Sequence, residues 1–268
     1  MQSKLIVPEA SQPNQEGVVL RVTPESAGWS YVGYEMVKLK KGEALMRETG
    51  RLEACLVFLS GKGDVRTAEK RWTGIGQRMS VFEKTPPYSV YVPSEDRYEV
   101  VAETDVDLAV CTAPGGGEYE ARLIEPGHVG VEHRGSGNMA RLVHNILPES
   151  EPAHSLLVVE VFTPGGHWSS YPPHKHDRDA LPEESLLEET YYYRIQPEQG
   201  FAVQRVYTDD GSLDETLCVR NGQAVLVPKG YHPVAAPAGY EVYYLNVMAG
   251  PRRTWKFYND PHHEWLLK

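Results

Sequence analysis

The pair His174 and His176 is the part of this sequence best suited to chemistry. A single lysine separates them, and strand residues two apart point to the same face of a sheet, so both imidazoles can reach one metal ion. Histidine is the commonest metal ligand. By itself the pair is a weak indication, because closely spaced histidines on a loop are mostly solvated and a metal site needs further ligands.

Two segments further along the chain supply such ligands. Glu189 stands near the start of the run EETYYYR, and the segment GQAVLVPKGYH ends in His232, just after a Pro-x-Gly turn. Together with the first pair they provide three nitrogens and one carboxylate oxygen. This set suits Zn and also Mn, Fe, Co or Ni, so we expect one divalent metal ion whose identity the sequence does not choose. Glu188 is the alternative carboxylate ligand. Because successive side chains of a strand point to opposite faces, only one of Glu188 and Glu189 points into the interior of the fold.

The elements that must hold these residues are strands. The 268 residues include 24 Gly and 20 Pro, which separate short runs rich in valine and tyrosine or alternating between apolar and polar residues. Helical periodicity is nearly absent. This pattern is typical of an all-β sandwich or barrel.

The two halves of the chain resemble each other. Residues 90–115 can be laid over residues 225–250, and both segments begin on a V-x-V-P strand. Upstream, residues 53–65 lie over residues 188–203 with a small difference in turn length. We infer two copies of one β unit.

The two copies are expected to differ in chemistry. None of the ten histidines precedes His128, and in the overlay Arg97 takes the place of His232. With a boundary in the Gly-rich stretch, we predict an N-terminal barrel over 1–130 without a metal site and a C-terminal barrel over 139–268 with the metal and the active site.

The order of these motifs resembles a known superfamily. HxH, then Glu, then G-x5-P-x-G-x-H is similar to the two metal-binding motifs of the cupins, which are small β-barrels of jelly-roll type. The resemblance implies an all-β bicupin with two such barrels. The chain departs from the usual pattern in the twelve residues between His176 and Glu189, a longer gap than cupins have, and in a last motif shorter by one residue.

A narrower resemblance covers nearly the whole chain. The runs PPHKHD, EETYYYRI, GFAVQRVYTDDGSLDET and VLVPKGYHPV, with the tail NDPHHEW, look like the 5-deoxy-glucuronate isomerase family of myo-inositol catabolism, which is related to the uronate isomerases of pectin breakdown. Carried over to this chain, the resemblance implies that the metal ligands are His174, His176, Glu189 and His232.

The function implied is that of a metal-dependent aldose–ketose isomerase. We expect conversion of 5-deoxy-glucuronate to 2-deoxy-5-keto-gluconate through a metal-bound enediol, because a divalent ion polarises the carbonyl and stabilises the developing charge. The alternatives are an isomerase of 5-dehydro-4-deoxy-glucuronate, the product of pectin breakdown, an iron cupin dioxygenase, and a sugar-binding cupin without enzymatic activity.

Strand alternation predicts which side chains line the site. If Glu189 points inward, Tyr191 and Tyr193 do too, and Tyr244 and Asn246 share one face of the last strand. Ordinary strand packing is the competing interpretation of these tyrosines. For the catalytic base the candidates are Glu188, Tyr244 and a metal-bound hydroxide.

A uronate substrate also needs a cation for its carboxylate, preferably a bidentate arginine. Arg178 and Arg205 are the candidates, with a surface ion pair as the alternative for each. His263 and Trp265, in the C-terminal segment NDPHHEW, are candidates to cover the opening of the substrate pocket. The substrate-binding set is therefore Arg178, Tyr191, Tyr193, Arg205, Asn246 and His263.

Composition excludes several partners. The formal net charge is −10 and the sequence pI is about 5.5, so the basic patch that nucleic-acid binding requires is missing. We find no run long and apolar enough for a membrane helix and no secretory signal, and expect a cytoplasmic protein with a small sugar acid as substrate. Exposed strand edges are compatible with a homo-oligomer.

Overall fold

The protein is built almost entirely of short strands, as the sequence predicts. The computed structural model describes residues 3–116 and 119–268. In the first half of the chain the strands are β1 (Ile6–Pro8), β2 (Val18–Val22), β3 (Gly33–Leu39), β4 (Ala44–Glu48), β5 (Leu52–Ser60), β6 (Gly63–Thr67), β7 (Arg71–Ile75), β8 (Ser89–Val92), β9 (Arg97–Ala102), β10 (Val106–Pro114) and β11 (Arg122–Ile124).

The second half continues in the same manner. Its strands are β12 (Gly130–Arg134), β13 (Arg141–Leu147), β14 (Leu157–Thr163), β15 (Trp168–Ser169), β16 (His174–Lys175), β17 (Asp177–Ala180), β18 (Glu184–Leu186), β19 (Glu188–Gln196), β20 (Phe201–Tyr207), β21 (Asp214–Arg220), β22 (Gln223–Val227), β23 (Val234–Ala235), β24 (Glu241–Ala249) and β25 (Tyr258–Asn259). Helical residues are confined, within the described ranges, to α1 (Pro24–Ala27) and short 3-10 turns at Val81–Glu83, Pro126–His128, Gly137–Met139 and Glu264–Leu267. None of these helices has the length and apolar character needed to cross a bilayer.

Two compact units divide the chain. The first unit comprises Glu9–Gly130 and Asn145–Val158, and the second comprises the residues up to Pro8, Val131–His144 and Val159–Lys268. These units differ from the predicted ranges in two segments. The first strand belongs with the second unit, because β1 pairs with β22, and residues 145–158 belong with the first.

The strand order of the two units matches, except that the larger sheet of the second unit has one additional edge strand, β12. In the first, the larger sheet runs β11-β8-β5-β10-β3-β2 and the smaller runs β4-β9-β6-β7. In the second, the larger runs β1-β22-β19-β24-β14-β13-β12 and the smaller runs β15-β23-β20-β21. Each strand of the first unit has a counterpart at the same place in the second, and this shared order supports the internal duplication.

The pairing register refines the sequence overlay. Leu56 of β5 faces Val110 of β10, and Tyr191, its counterpart in β19, faces Asn246 of β24. Asn246 therefore corresponds to Val110, whereas the ungapped overlay aligns it with Cys111. The overlay is wrong by one residue in the last strand, because it does not allow for a difference in connection length before that strand.

The interiors of the units are chemically different. Both sheets of the first unit face a largely aliphatic, apolar core, to which β5 contributes Ala54, Leu56 and the aromatic Phe58, and β10 contributes Leu108 and Val110. The counterparts in the second unit carry polar groups, namely Glu189, Tyr191, Tyr193, Tyr244 and Asn246. Burying polar groups costs free energy unless they are paired, so the second interior is expected to serve a purpose other than stability.

One buried carboxylate organises the first unit. Glu53 is fully buried and accepts hydrogen bonds from the backbone N–H groups of His154, Ser155 and Leu156, at 2.8, 2.6 and 2.6 Å. The hydroxyl of Tyr91 also donates to it, at 2.5 Å. Glu53 thereby ties the returning segment 145–158 to β5.

We expect Glu53→Ala to lower the free energy of unfolding by about 2–4 kcal/mol, because three buried N–H groups lose their acceptor. Urea denaturation measures the effect. Glu69→Ala, at an exposed position of the same unit, is the control and should leave the midpoint unchanged. Equal midpoints for both variants would contradict this role of Glu53.

Candidate metal centre and its surroundings

Three of the predicted ligands converge in the second unit. One ligand atom from each of His176, Glu189 and His232 lies within 4.8 Å of the other two, and all three residues are buried. Oε2 of Glu189 is 3.1 Å from Nε2 of His176 and 3.2 Å from Nε2 of His232. Two imidazoles and one carboxylate oxygen thus face a common point. Of the two glutamates considered, Glu189 is the one brought to these histidines.

Hydrogen bonds to the backbone orient the imidazoles. Nδ1 of His176 lies 3.0 Å from the carbonyl oxygen of Leu187, and Nδ1 of His232 lies 2.8 Å from that of Gly230. A carbonyl oxygen only accepts, so each Nδ1 carries a proton and, in the neutral ring, Nε2 presents a lone pair. Backbone partners fix the tautomer of metal-ligating histidines in this way.

The two imidazoles differ in their protonation. Burial lowers the pKa of His176, but the hydrogen bond and charge of Glu189, together with backbone hydrogen bonds, outweigh burial and raise that pKa, so this ring gives up its Nε2 proton when a cation binds. Nε2 of His232 is buried without a hydrogen-bond partner, and in this tautomer it faces the carboxylate oxygen of Glu189. Burial lowers the pKa of His232 to about 3, so the ring is neutral, as a metal ligand must be. A cation between these atoms would satisfy all of them. The donor set therefore fits a divalent metal ion.

His174 stands at the edge of this cluster. Its ring centroid is 5.1 Å from that of His232 and 6.5 Å from that of His176. Burial lowers the pKa of His174 to about 3, and one of its ring nitrogens hydrogen bonds with the backbone of Pro172. Burial thus keeps His174 neutral beside the ring of His232, although the ligand atoms that lie within 4.8 Å of one another are those of His176, Glu189 and His232.

The long gap between the second histidine and the glutamate forms a hairpin. Strands β17 and β18 pair antiparallel with an irregular register, and the chain returns to place Leu187 beside His176. The N–H of Leu187 donates to the carbonyl of His176 at 2.9 Å. The inserted residues form a hairpin whose two ends, at His176 and Leu187, are hydrogen bonded to each other. Glu189 therefore reaches the histidines despite the longer gap.

A glycine turn places the third histidine. Gly230 has φ +89°, and a Cβ at this position would lie 2.3 Å from the carbonyl oxygen of Tyr207. Only glycine fits such a close approach in the left-handed region. This explains the Pro-x-Gly turn before His232.

A buried ion network ties these two loops together. Lys175 Nζ donates to Asp177 Oδ1 at 2.6 Å and to Glu184 Oε1 at 3.0 Å. The other oxygen of Asp177 accepts the N–H of Gly230 at 2.8 Å. Asp177 thus holds the N–H of Gly230, the residue whose carbonyl orients His232. This role is not apparent from the sequence, although the acidic residues after His176 are visible there.

A group of aromatic rings forms one wall of the site. Tyr191 stacks on Tyr193 with centroids 6.2 Å apart and lies 5.7 Å from the ring of His232. The hydroxyl of Ser170 is 3.0 Å from that of Tyr191 and 3.5 Å from that of Tyr244. Burial is the main cause that raises the pKa of Tyr191 and Tyr244. Both phenols therefore keep their protons at neutral pH.

Asn246 and Tyr193 have partners within the protein. Nδ2 of Asn246 donates to Oε1 of Glu189 at 2.7 Å, so Asn246 orients the ligand carboxylate. The hydroxyl of Tyr193 donates to Oε1 of Gln204 at 2.9 Å. In both residues the polar group hydrogen bonds with another residue of the protein and helps to position it.

The two arginines chosen from the sequence lie elsewhere. Arg178 pairs with Glu184 at 2.7 Å, and Arg205 makes a bidentate pair with Asp214, with both bonds at 2.8 Å. Their side chains are 55% and 45% exposed. Each guanidinium is neutralised by a nearby acid, and this geometry favours the alternative of a surface ion pair over binding of a substrate carboxylate.

Two further candidates are also not brought into the site. Glu188 precedes Glu189 in β19, so alternation projects its side chain from the opposite face of the sheet. His263 lies at the start of the last 3-10 turn, with Nε2 3.9 Å from Asp260. Neither geometry supports the role expected for it.

Comparison with known proteins places the chain in a family. The model of the KduI/IolB family matches residues 5–266. The chain belongs to the KduI/IolB family. Proteins named 5-deoxy-glucuronate isomerase are similar to it. The one from Geobacillus kaustophilus is 68% identical over 266 residues, covering 99% of this chain and 96% of its own, and the one from Bacillus subtilis (strain 168) is 51% identical over 252 residues, covering 94% and 93%.

Solved structures agree with this family assignment. The crystal structure of an IolB-like protein from Salmonella typhimurium LT2 has a TM-score of 0.97 at 52% identity and covers 99% of this chain and 100% of that one. The oxalate decarboxylase of Lactobacillus farciminis has a TM-score of 0.64 at 12% identity and covers 97% and 89%. The latter likeness concerns the fold alone, and it agrees with the all-β class predicted for this chain.

We expect Asp177→Ala to weaken divalent-metal binding about 10-fold in this KduI/IolB-family protein, because removing a group behind a ligand typically costs 10–100-fold in affinity. Competition with a chromophoric chelator measures the dissociation constant. Asp177→Asn retains an acceptor oxygen and should lose less. The control is Asp214→Ala, at the surface pair with Arg205. An Asp177→Ala protein that binds the ion as tightly as the control would exclude this role.

Proposed function

We propose that this protein is a metal-dependent aldose–ketose isomerase that converts 5-deoxy-glucuronate to 2-deoxy-5-keto-gluconate. The observation that carries the proposal is the convergence of His176, Glu189 and His232, with His174 beside them, inside a fold whose other copy has an aliphatic core. The names of relatives up to 68% identical over nearly the whole chain support the substrate.

The residues that would hold the ion are His174, His176, Glu189 and His232. A divalent ion bound there supplies a Lewis acid, which makes the C–H next to a carbonyl more acidic and stabilises the negative charge that develops on oxygen. Three histidines and one carboxylate are compatible with Zn, Mn, Fe, Co or Ni, and elemental analysis of the purified protein identifies the bound ion.

The protein's own groups prepare these ligands. The carbonyls of Leu187 and Gly230 hold the imidazoles in one tautomer, and Asn246 holds the second oxygen of Glu189. Such pre-organisation means that little reorganisation is needed when charge develops in the transition state.

Protonated phenols stand beside the ligands. Tyr191 and Tyr244 keep their protons because burial raises the pKa of each, so they act as hydrogen-bond donors. We assign Tyr244 to donate from its hydroxyl to a substrate oxygen, with Ser170 bridging it to Tyr191. This changes the role expected for Tyr244 from base to donor.

The direct test of the proposal is turnover. Metal-loaded protein is mixed with 5-deoxy-glucuronate and the product is followed by carbon NMR, which should show a new ketone carbon and loss of the aldehyde. 5-Dehydro-4-deoxy-glucuronate, assayed in parallel, should give a lower kcat/KM. Oxygen consumption with bound iron would instead indicate a dioxygenase, and sugar binding without turnover a binding protein.

We expect Tyr244→Phe to lower kcat about 100-fold, within the range seen when one donor to a developing oxyanion is removed. Metal content should stay unchanged, since the Tyr244 hydroxyl contacts Ser170 and none of the proposed ligands. Steady-state kinetics with metal analysis checks both. Tyr98→Phe in the first unit is the control. A Tyr244→Phe enzyme with the kcat of the control would refute the assignment.

A further inference from the structure

A cavity adjoins His174. It has a volume of about 540 Å³ and is bounded by His174 on one side. Its lining includes the cations Arg141, Lys268 and Arg134 and the aromatic rings of Trp255 and Phe257. Of these cations, Arg134 is paired with Glu132 at 2.7 Å. Among the described residues that line it, there is no aspartate or glutamate. This is unusual local chemistry in a protein with a net charge of −10, and it favours an anionic ligand.

Arg141 is held by backbone groups in the wall of this cavity. Its Nη1 donates to the backbone carbonyls of Met139 and Tyr171, at 3.0 and 3.3 Å. Carbonyl oxygens hold a guanidinium in place without neutralising its charge. Arg141 differs in this respect from Arg178 and Arg205, whose charges are balanced by acids.

Arg141 shares the cavity with a proposed ligand. The cavity that Arg141 lines is also lined by His174. Burial raises the pKa of Tyr244, and the hydrogen bonds of Ser169 and Ser170, followed by the charge of Arg141, oppose that rise. A molecule that occupies this cavity can therefore contact both His174 and Arg141.

The neighbouring loop is shaped around this guanidinium. Gly135 has φ +77°, and a Cβ there would lie 2.7 Å from Nη1 of Arg141 and 2.3 Å from the carbonyl oxygen of Met139. Any other residue at position 135 would push against the guanidinium or its anchoring carbonyl. The glycine thus permits one orientation of Arg141.

We propose that Arg141 binds the carboxylate of the substrate and thereby makes the enzyme selective for sugar acids over neutral aldoses. The inference rests on the isomerase function proposed above. In 5-deoxy-glucuronate the aldehyde and the carboxylate stand at opposite ends of a six-carbon chain. With the aldehyde at the ligand histidines, the carboxylate reaches into the adjoining cavity, where Arg141 donates to it and the rings of Trp255 and Phe257 cover the carbon chain.

The test compares an acid and its neutral analogue. For Arg141→Met we expect kcat/KM on 5-deoxy-glucuronate to fall about 100-fold, as for loss of a charge-assisted hydrogen bond. On 5-deoxy-glucose, in which a hydroxymethyl group replaces the carboxylate, the change should be less than about 3-fold. Arg21→Met, at an exposed ion pair of the first unit, is the matched control and should leave both values unchanged.

Two further variants keep the test decisive. Arg141→Lys preserves the charge but not the fork geometry, and should lose about 10-fold on the acid alone. Gly135→Ala should reproduce part of the loss, again on the acid alone. If either Arg141 variant lost equal factors of kcat/KM on the acid and on the neutral sugar, the role of Arg141 would be merely structural and the inference would be overturned. Unchanged kcat/KM values on the acid in both Arg141 variants would also overturn it.

Failure of the proposed function would be recognised separately, because the wild-type protein would then not turn over 5-deoxy-glucuronate. In that case the carboxylate site is tested by calorimetry with D-gluconate, and with sorbitol as the neutral comparison. A loss of gluconate affinity of about 10-fold or more in Arg141→Met, with sorbitol binding unaffected, supports the site. Equal gluconate affinity in Arg141→Met and wild type overturns it.

Discussion

The second unit depends on one electrostatic constraint. Buried imidazole lone pairs and a buried carboxylate face one point, and backbone carbonyls prevent the imidazoles from turning away. In a low-dielectric interior such an arrangement is costly unless a cation neutralises it. The hairpin β17–β18, the glycine turn at Gly230 and the ion network around Asp177 all hold these few atoms in place.

The duplication shows how one strand order can serve two purposes. Ala54, Leu56 and Phe58 form part of a packed core, and the same positions of the second unit carry Glu189, Tyr191 and Tyr193. The framework is set by strand pairing, which is nearly independent of what the inward side chains are. Polar residues can therefore replace the core of one copy, provided that each finds a partner, as Asn246 does with Glu189. The aliphatic copy has no such requirement and retains ordinary packing.

Local rules predicted much of the site. The spacing of His174 and His176, and the alternation that puts Tyr191 with Glu189, follow from strand geometry alone, and the family resemblance added the third histidine's role. Pairing between distant segments was not predictable in this way. The antiparallel pairing of β1 with β22 is not indicated by any pattern in the sequence of either strand.

The arginines show the limit of such rules most clearly. A sequence reveals which residues carry a charge but not which charges are neutralised. Arg205 was one of two candidates for the substrate carboxylate, and its partner Asp214 comes from the neighbouring strand β21. Arg141 lies before the recognised motifs, and the loop at Gly135 that orients it follows no periodic pattern.

The central claim is that isomerisation requires one divalent ion held inside the second unit. The most direct measurement strips the protein with a chelator, adds the metal back stepwise and follows turnover of 5-deoxy-glucuronate. The account predicts no activity without metal and a linear recovery that stops at one ion per chain. Full activity in the stripped protein, or recovery that requires several ions per chain, would contradict it.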